Sequence, residues 1–187
     1  MIDPLQLAAQ WLPGNDDPAR PLLTLSTIGS DGFPDARTLL LTGIDERGFV
    51  VNTDANSRKS AQLRAEPHAT LTVSLPETAR QLVVHAVAEQ TSPDESARAY
   101  RARSPYLRRL AWLNTDALAQ LSAPARRAAW AAVSDAHLAA LGPPPSWIGF
   151  LLRPSRITFW TGDVESSSHR TEYTRTDRGW SIADLPG

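Results

Sequence analysis

The chain has no cysteine, which excludes disulfides, thiolate nucleophiles and Cys-ligated zinc or iron–sulfur centres together. Redox chemistry in such a chain needs a borrowed cofactor. An excess of charge of one sign is lacking too: 19 Lys and Arg against 20 Asp and Glu leave a formal net charge of -1, so there is no general nucleic-acid footprint and anions must be met by local basic clusters. No stretch approaches the roughly 18 consecutive apolar residues of a membrane helix, and Met1 to Trp11 has no basic segment followed by an apolar run. The expectation is a soluble, cytoplasmic protein with no membrane or nucleic-acid partner. The four His, at 68, 85, 137 and 169, have no ligand spacing with carboxylates, so no metal site is expected.

What is present suffices for a packed core. With 187 residues, 42% of them hydrophobic, the chain fits one domain, 1–187, of a size that buries roughly 70% of its unfolded surface. Residues 4–12 (PLQLAAQWL) carry apolar positions at helical spacing, and Pro13 to Pro18 follow as a loop, so 1–18 read as an N-terminal helix and loop. LLTLSTIG, ARTLLLTGI and FVVNTD are apolar or β-branched runs separated by Ser30-Asp31-Gly32 and Asp45-Glu46-Arg47-Gly48, which predicts three antiparallel strands. SRKSAQLRAEP predicts a short helix that opens on Ser57 and stops before Pro67. HATLTVSL and ARQLVVHAVAEQ, joined at Pro76-Glu77-Thr78, bring the strands to five, and a sheet of short hairpins tends to curl into a barrel. Residues 93–142 form an Ala- and Arg-rich helical insertion read as two or three helices, with breaks around 114–117 and 122–124. After Pro143-Pro144-Pro145, residues 143–187 return to strands, the last two turning at Asp177-Arg178-Gly179. The fold class is mainly β with helices, α+β.

Four features bear on chemistry. Asn56-Ser57-Arg58-Lys59 sets two cations and a hydroxyl at a strand-to-helix junction, where helix N–H groups and basic side chains suit a phosphate dianion. The competing reading is a solvated first turn, although cations there oppose the helix dipole. Arg37 opens the apolar strand TLLLTGI, either to meet the same anion or to snorkel to water. Arg80-Gln81 opens LVVHAVA, and the Gln81 amide can both donate to and accept from a flat heteroaromatic edge, though polar strand ends are commonplace. Phe159-Trp160-Thr161-Gly162 followed by His169-Arg170 offers a ring and a cation; with six Trp in the chain, a core role for Trp160 competes.

In order and spacing these pieces resemble the pyridoxine/pyridoxamine 5'-phosphate oxidase family, from about Pro21 to the last residues. The resemblance rests on ARTLLL (36–41), NTDANSRKSAQL (52–63), Pro67, ARQLVV (79–84), PSWIGF (145–150), RPSRITFWTG (153–162) and HRTEY with Trp180 and Pro186 behind it. It implies an FMN-binding split β-barrel, a Greek-key-like antiparallel barrel with flanking helices, working as a homodimer with FMN at the interface. Residue by residue it implies that Arg37, Arg58 and Lys59 hold the FMN phosphate, with Ser57 and Thr53 close by. Thr38, Leu39 and Asn52 fall within the same flavin-contacting stretches. Gln81 faces the isoalloxazine edge, and Trp160 and Arg170 reach the flavin of the partner chain.

The chain departs from the family where the family grips its phosphorylated substrate. Thr42, Ala99 beside Tyr100, Arg103 and Leu107 stand where Lys, Tyr, Arg and Ser are expected, and Ser166-Ser167-Ser168 replaces an Arg-Leu-His motif. Only Arg103 survives. With the helices aligned one residue along, Tyr100 becomes the ring contact instead of Ala99; Asp116 and Ala117 replace a Gln and a Ser, and Asn52 a Tyr. The substrate positions are thus Thr42, Arg103, Ser166 and Ser168. The expected activity is an FMN-dependent oxidase acting on a small heterocycle less anionic than a phosphorylated vitamer, with no side chain required as an acid or base. The alternatives are a genuine pyridoxine/pyridoxamine 5'-phosphate oxidase using Arg103, Arg108 or Arg109, a flavin-binding protein without turnover, and an empty dimeric scaffold.

Overall fold

The computed structural model describes residues 2–13 and 22–187; the loop expected at 13–18 lies outside them from residue 14 on. Helix α1 spans Pro4–Trp11, started by Asp3, whose carboxylate accepts from the Leu5 and Gln6 N–H groups, and by Pro4, which needs no such partner. Strands β1 (Leu22–Ile28), β2 (Pro34–Asp45) and β3 (Gly48–Asp54) lead to helix α2 (Arg58–Ala65). β4 (His68–Leu75) and β5 (Arg80–Gln90) flank a 3-10 turn at Pro76–Thr78. After the helical segment come β6 (Trp147–Thr161), β7 (His169–Thr176) and β8 (Gly179–Pro186). No helix among the described residues is long and apolar enough to cross a membrane.

All the strands belong to one antiparallel sheet in the order β3-β2-β1-β4-β5-β6-β7-β8, and β3 also pairs with β6. That pairing closes β1 to β6 into a barrel, with β4 beside β1 in Greek-key order, while β7 and β8 extend from β6 as a hairpin. Period-2 alternation sets the core: Leu23, Leu25, Leu71, Leu82, Val84 and Ile157 are each no more than 1% exposed. Closure depends on Gly48, at φ +151°, where a Cβ would stand 2.3 Å from the Leu152 carbonyl oxygen.

The chain divides into two compact units. The first comprises 1–51, 58–90 and 150–187 and holds the barrel. The second comprises 52–57 and 91–149. It contains α3 (Pro93–Arg101), α4 (Pro105–Leu113), α5 (Asp116–Ala119), α6 (Ala123–Ala132) and α7 (Asp135–Leu141), five helices where two or three were expected. The reason is capping: Ser92, Ser104, Thr115, Ser122 and Ser134 each accept a backbone N–H from three residues on, and each starts a new helix. Ser92 and Glu95 complete a reciprocal capping box. The core of this unit is Tyr100, 2% exposed, its hydroxyl accepting from Trp112 Nε1 at 3.1 Å and its ring edge-on to Trp147 at 5.9 Å. Tyr100 is thus part of the packing of this unit.

Candidate cofactor site

The β1–β2 register sets Arg37 opposite Leu25 and Asp35 opposite Thr27, so both charged side chains share the core-facing side at the end of the barrel. Helix α2 packs on β1, with Arg58 and Gln62 one turn apart on one face. The result is a dense network. Arg37 Nη1 donates to the Leu25 carbonyl at 3.1 Å and Thr27 Oγ1 at 2.6 Å, and its Nη2 donates to Gln62 Oε1 at 2.8 Å. The same nitrogen lies 3.0 Å from Asp35 Oδ2. Arg58 Nε is also 3.0 Å from Asp35 Oδ2, and Gln62 Nε2 donates to that oxygen at 3.0 Å. The Gln62 hydrogen bond, opposed by burial and reinforced by the Arg37 and Arg58 charges, holds the Asp35 carboxyl below the usual carboxylate range.

Arg37 therefore does not snorkel; its side chain is 19% exposed and held at four points. Arg58 remains 79% exposed beyond its contact with Asp35, and Lys59 is half-buried in the first turn of the same helix. The carboxylate offsets cations that would otherwise oppose the dipole of α2. Sequence reading missed Thr27, Asp35 and Gln62. The sequence offers only their spacing, Asp35 two residues before Arg37 on one strand face and Gln62 four after Arg58 on one helix face, which does not by itself bring the two together.

A second group crosses the outer face of the sheet. Gln81 is the register partner of Trp160, and Trp160 of Arg170, across β5, β6 and β7. Their neighbours Leu82 and Phe159 point into the core, so these three point away from it. Trp160 is half-buried, and a Cβ on Gly162 would stand 2.9 Å from its Cη2. Thr38 is exposed on this outer face, whereas Leu39 faces inward opposite Leu23. Thr42 is the extra residue of a β-bulge, between the Leu41–Val51 and Gly43–Val50 pairs, a device that re-aims a side chain. Ser166 is exposed and Ser168 half-buried in the β6–β7 connection. Lower on the same sheet a cavity of about 580 Å³ is lined by Thr70, His85 and Arg156 among others, and includes none of Gln81, Trp160 and Arg170.

The remaining residues stand in the second unit. Asn52 and Thr53 are each 8% exposed; Asn52 Nδ2 donates to the Ile148 carbonyl at 3.2 Å, while Asn52 Oδ1 is buried with no hydrogen-bond partner. The Ser57 hydroxyl donates to the Asp54 carbonyl at 2.7 Å. Arg103 lies over the Trp147 ring, 4.6 Å from its centroid. Arg108 donates to the Arg101 carbonyl at 2.6 Å, and Arg109 pairs with Asp135 at 2.6 Å. Asp116 is exposed at the start of α5. No group of three or more metal-ligating side chains occurs among the described residues.

Known proteins resemble the chain over most of its length. Residues 17–139 match the family described as pyridoxamine 5'-phosphate oxidase, and 147–185 match the pyridoxine 5'-phosphate oxidase C-terminal dimerisation region. A pyridoxine/pyridoxamine 5'-phosphate oxidase of Burkholderia vietnamiensis is 38% identical over 166 residues, covering 87% of this chain and 78% of the relative. Another, from Pseudomonas putida, is 32% identical over 186 residues, covering 96% and 86%. Among solved structures, PhzG from Burkholderia lata in complex with tetrahydrophenazine-1-carboxylic acid superposes with a TM-score of 0.78 at 26% identity, over 99% of this chain and 93% of that one. An FMN-binding, pyridoxamine 5'-phosphate oxidase-related protein of Nostoc punctiforme shares the fold, with a TM-score of 0.57 at 22% identity over 88% and 86% of the two chains. By its split barrel, its matched N-terminal region and its dimerisation region, this chain belongs to the pyridoxamine 5'-phosphate oxidase family.

Proposed function

We propose that the chain is an FMN-dependent oxidase that acts, as a homodimer, on a small heterocycle without a phosphate group. The observation that carries this reading is the convergence of Arg37, Arg58 and Gln62 on one anionic oxygen, Asp35 Oδ2, each at 3.0 Å. Donors that gather on a carboxylate oxygen have the chemistry to gather on a phosphate oxygen, at roughly 1.5–3 kcal/mol per charge-assisted bond. Lys59 adds a third cation on the same turn.

FMN, when bound, supplies acceptance of a hydride from the substrate and delivery of the electrons to oxygen. The protein's part is binding and orientation. Arg37, fixed by its bonds to Leu25, Thr27 and Gln62, anchors the phosphate end. Gln81 presents an amide that meets donors and acceptors along the ring edge. Trp160 and Arg170, paired across β6 and β7, serve the flavin of the second copy: the indole covers the ring and excludes water, and the guanidinium stabilises negative charge beside it.

The substrate class is read from what the substrate positions implied by the family resemblance lack. Thr42, Ser166 and Ser168 offer hydroxyls in place of cations, which suits an uncharged or carboxylated ring, and the ligand of the Burkholderia lata structure is a carboxylated phenazine. A second reading, oxidation of pyridoxamine 5'-phosphate, is favoured by the names of the relatives at 38% identity. It needs replacement phosphate ligands, yet Arg103, Arg108 and Arg109 are engaged by Trp147, the Arg101 carbonyl and Asp135. The test is an anaerobic titration of the FMN-loaded protein with pyridoxamine 5'-phosphate and, separately, with a reduced phenazine carboxylate. Bleaching of the flavin band by the phenazine alone supports the first reading; bleaching by the vitamer at micromolar concentration replaces it with the second.

A further inference from the structure

We propose that Asp35 is an internal occupant of the phosphate seat, a carboxylate that the cofactor's phosphate must displace, and that it narrows the preference of this chain for FMN over unphosphorylated riboflavin. This rests on the reading of Arg37, Arg58 and Lys59 as the phosphate end. Asp35 Oδ2 takes one contact from each of Arg37, Arg58 and Gln62, all at 3.0 Å. Each of these donors, pointed at Asp35, is withheld from a phosphate oxygen.

The two arginines are not equivalent. Arg37 is held in addition by Leu25, Thr27 and Gln62 and is 19% exposed. Arg58 meets the carboxylate through Nε only, and its side chain is 79% exposed. A phosphate entering from solvent therefore meets Arg58 first, and it gains Arg37 and Gln62 only as Asp35 gives them up. The carboxylate is still a like charge beside the dianion, and it persists because its strand position, two residues before Arg37, fixes it on the same face.

The test is the dissociation constants of FMN and riboflavin, read by quenching of flavin fluorescence, for the wild-type chain, Asp35→Asn and Asp35→Ser at one ionic strength. Asp35→Asn keeps the shape and removes the charge; Asp35→Ser removes both, so a folding defect in one leaves the other informative. The expected result is FMN affinity raised about tenfold or more in the variants, with riboflavin affinity unchanged. Wild-type FMN binding with unchanged or weakened FMN affinity in the variants overturns the inference and leaves the proposed function standing, since Asp35 then positions the arginines. FMN binding by none of the three proteins overturns both.

Discussion

Gln81 and Trp160 are register partners across β5 and β6, both directed away from the barrel core. Arg170 continues the row on β7, so an amide, an indole and a guanidinium stand side by side on one face. Replacing Trp160 by Ala should weaken FMN binding about fivefold to tenfold, the equivalent of about 1–1.4 kcal/mol for a lost ring contact, while Trp160→Phe should retain most of it. Flavin fluorescence quenching measures both.

The indole passes close over Gly162. A Cβ on Gly162 would lie 2.9 Å from Trp160 Cη2 and 3.3 Å from Ala79 Cβ. Gly162→Val should therefore turn the ring, with a changed tryptophan emission spectrum and weakened flavin binding, and with denaturant unfolding altered less than flavin affinity.

Arg58→Ala should weaken FMN by about tenfold to a hundredfold, since a charge-assisted bond contributes roughly 1.5–3 kcal/mol, and leave riboflavin affinity unaltered. Titration with both flavins separates a phosphate contact from a general folding defect. Equal losses for the two flavins would remove Arg58 from the phosphate site.

Barrel closure should be sensitive at Gly48. Its φ of +151° and the 2.3 Å approach of a notional Cβ to the Leu152 carbonyl mean that Gly48→Ala must separate β3 from β6. We expect a loss of about 2–3 kcal/mol in urea unfolding. The same substitution at Gly43, where a Cβ meets nothing within 4 Å, should cost far less.

His85 gives a pH signature. Arg156 Nη2 lies 3.0 Å from His85 Nε2, and because Arg only donates, that nitrogen must accept and the ring is neutral. Burial lowers the His85 pKa, with the Arg156 charge adding to it and Glu172 working against it. The unfolded chain therefore binds the proton more readily, and the contribution of His85 is complete above its unfolded pKa of about 6.5. It is lost as pH falls through the lower folded value. Denaturant midpoints across that window should rise with pH in the wild-type chain and rise less in His85→Gln; identical slopes would remove His85 from the titration.

Much of the barrel is legible in the sequence because its strands alternate: Leu23, Leu25 and Thr27 in β1, or Leu82, Val84 and Ala86 in β5, are buried at every second position. The helical segment is less so. Its alanine richness reads as continuity, while the breaks are set by single residues such as Ser104 and Ser134, whose side chains cap the next helix. At the candidate site, Arg58 and Lys59 announce themselves as cations in a first turn. Asp35 and Gln62 do not, since their meeting depends on strand register and on how α2 packs against β1. The row from Gln81 to Arg170 is invisible to local pattern, because the whole helical segment separates its first member from the rest; only the family resemblance brings those residues together.

The most direct test is flavin content. The protein should be incubated with excess FMN, desalted, and measured for flavin per chain and for molecular mass in solution. The proposed function predicts about one FMN retained per chain in a dimer, with the flavin band shifted from that of free FMN. A dimer or monomer that emerges without flavin, and does not quench the fluorescence of added FMN, would contradict it.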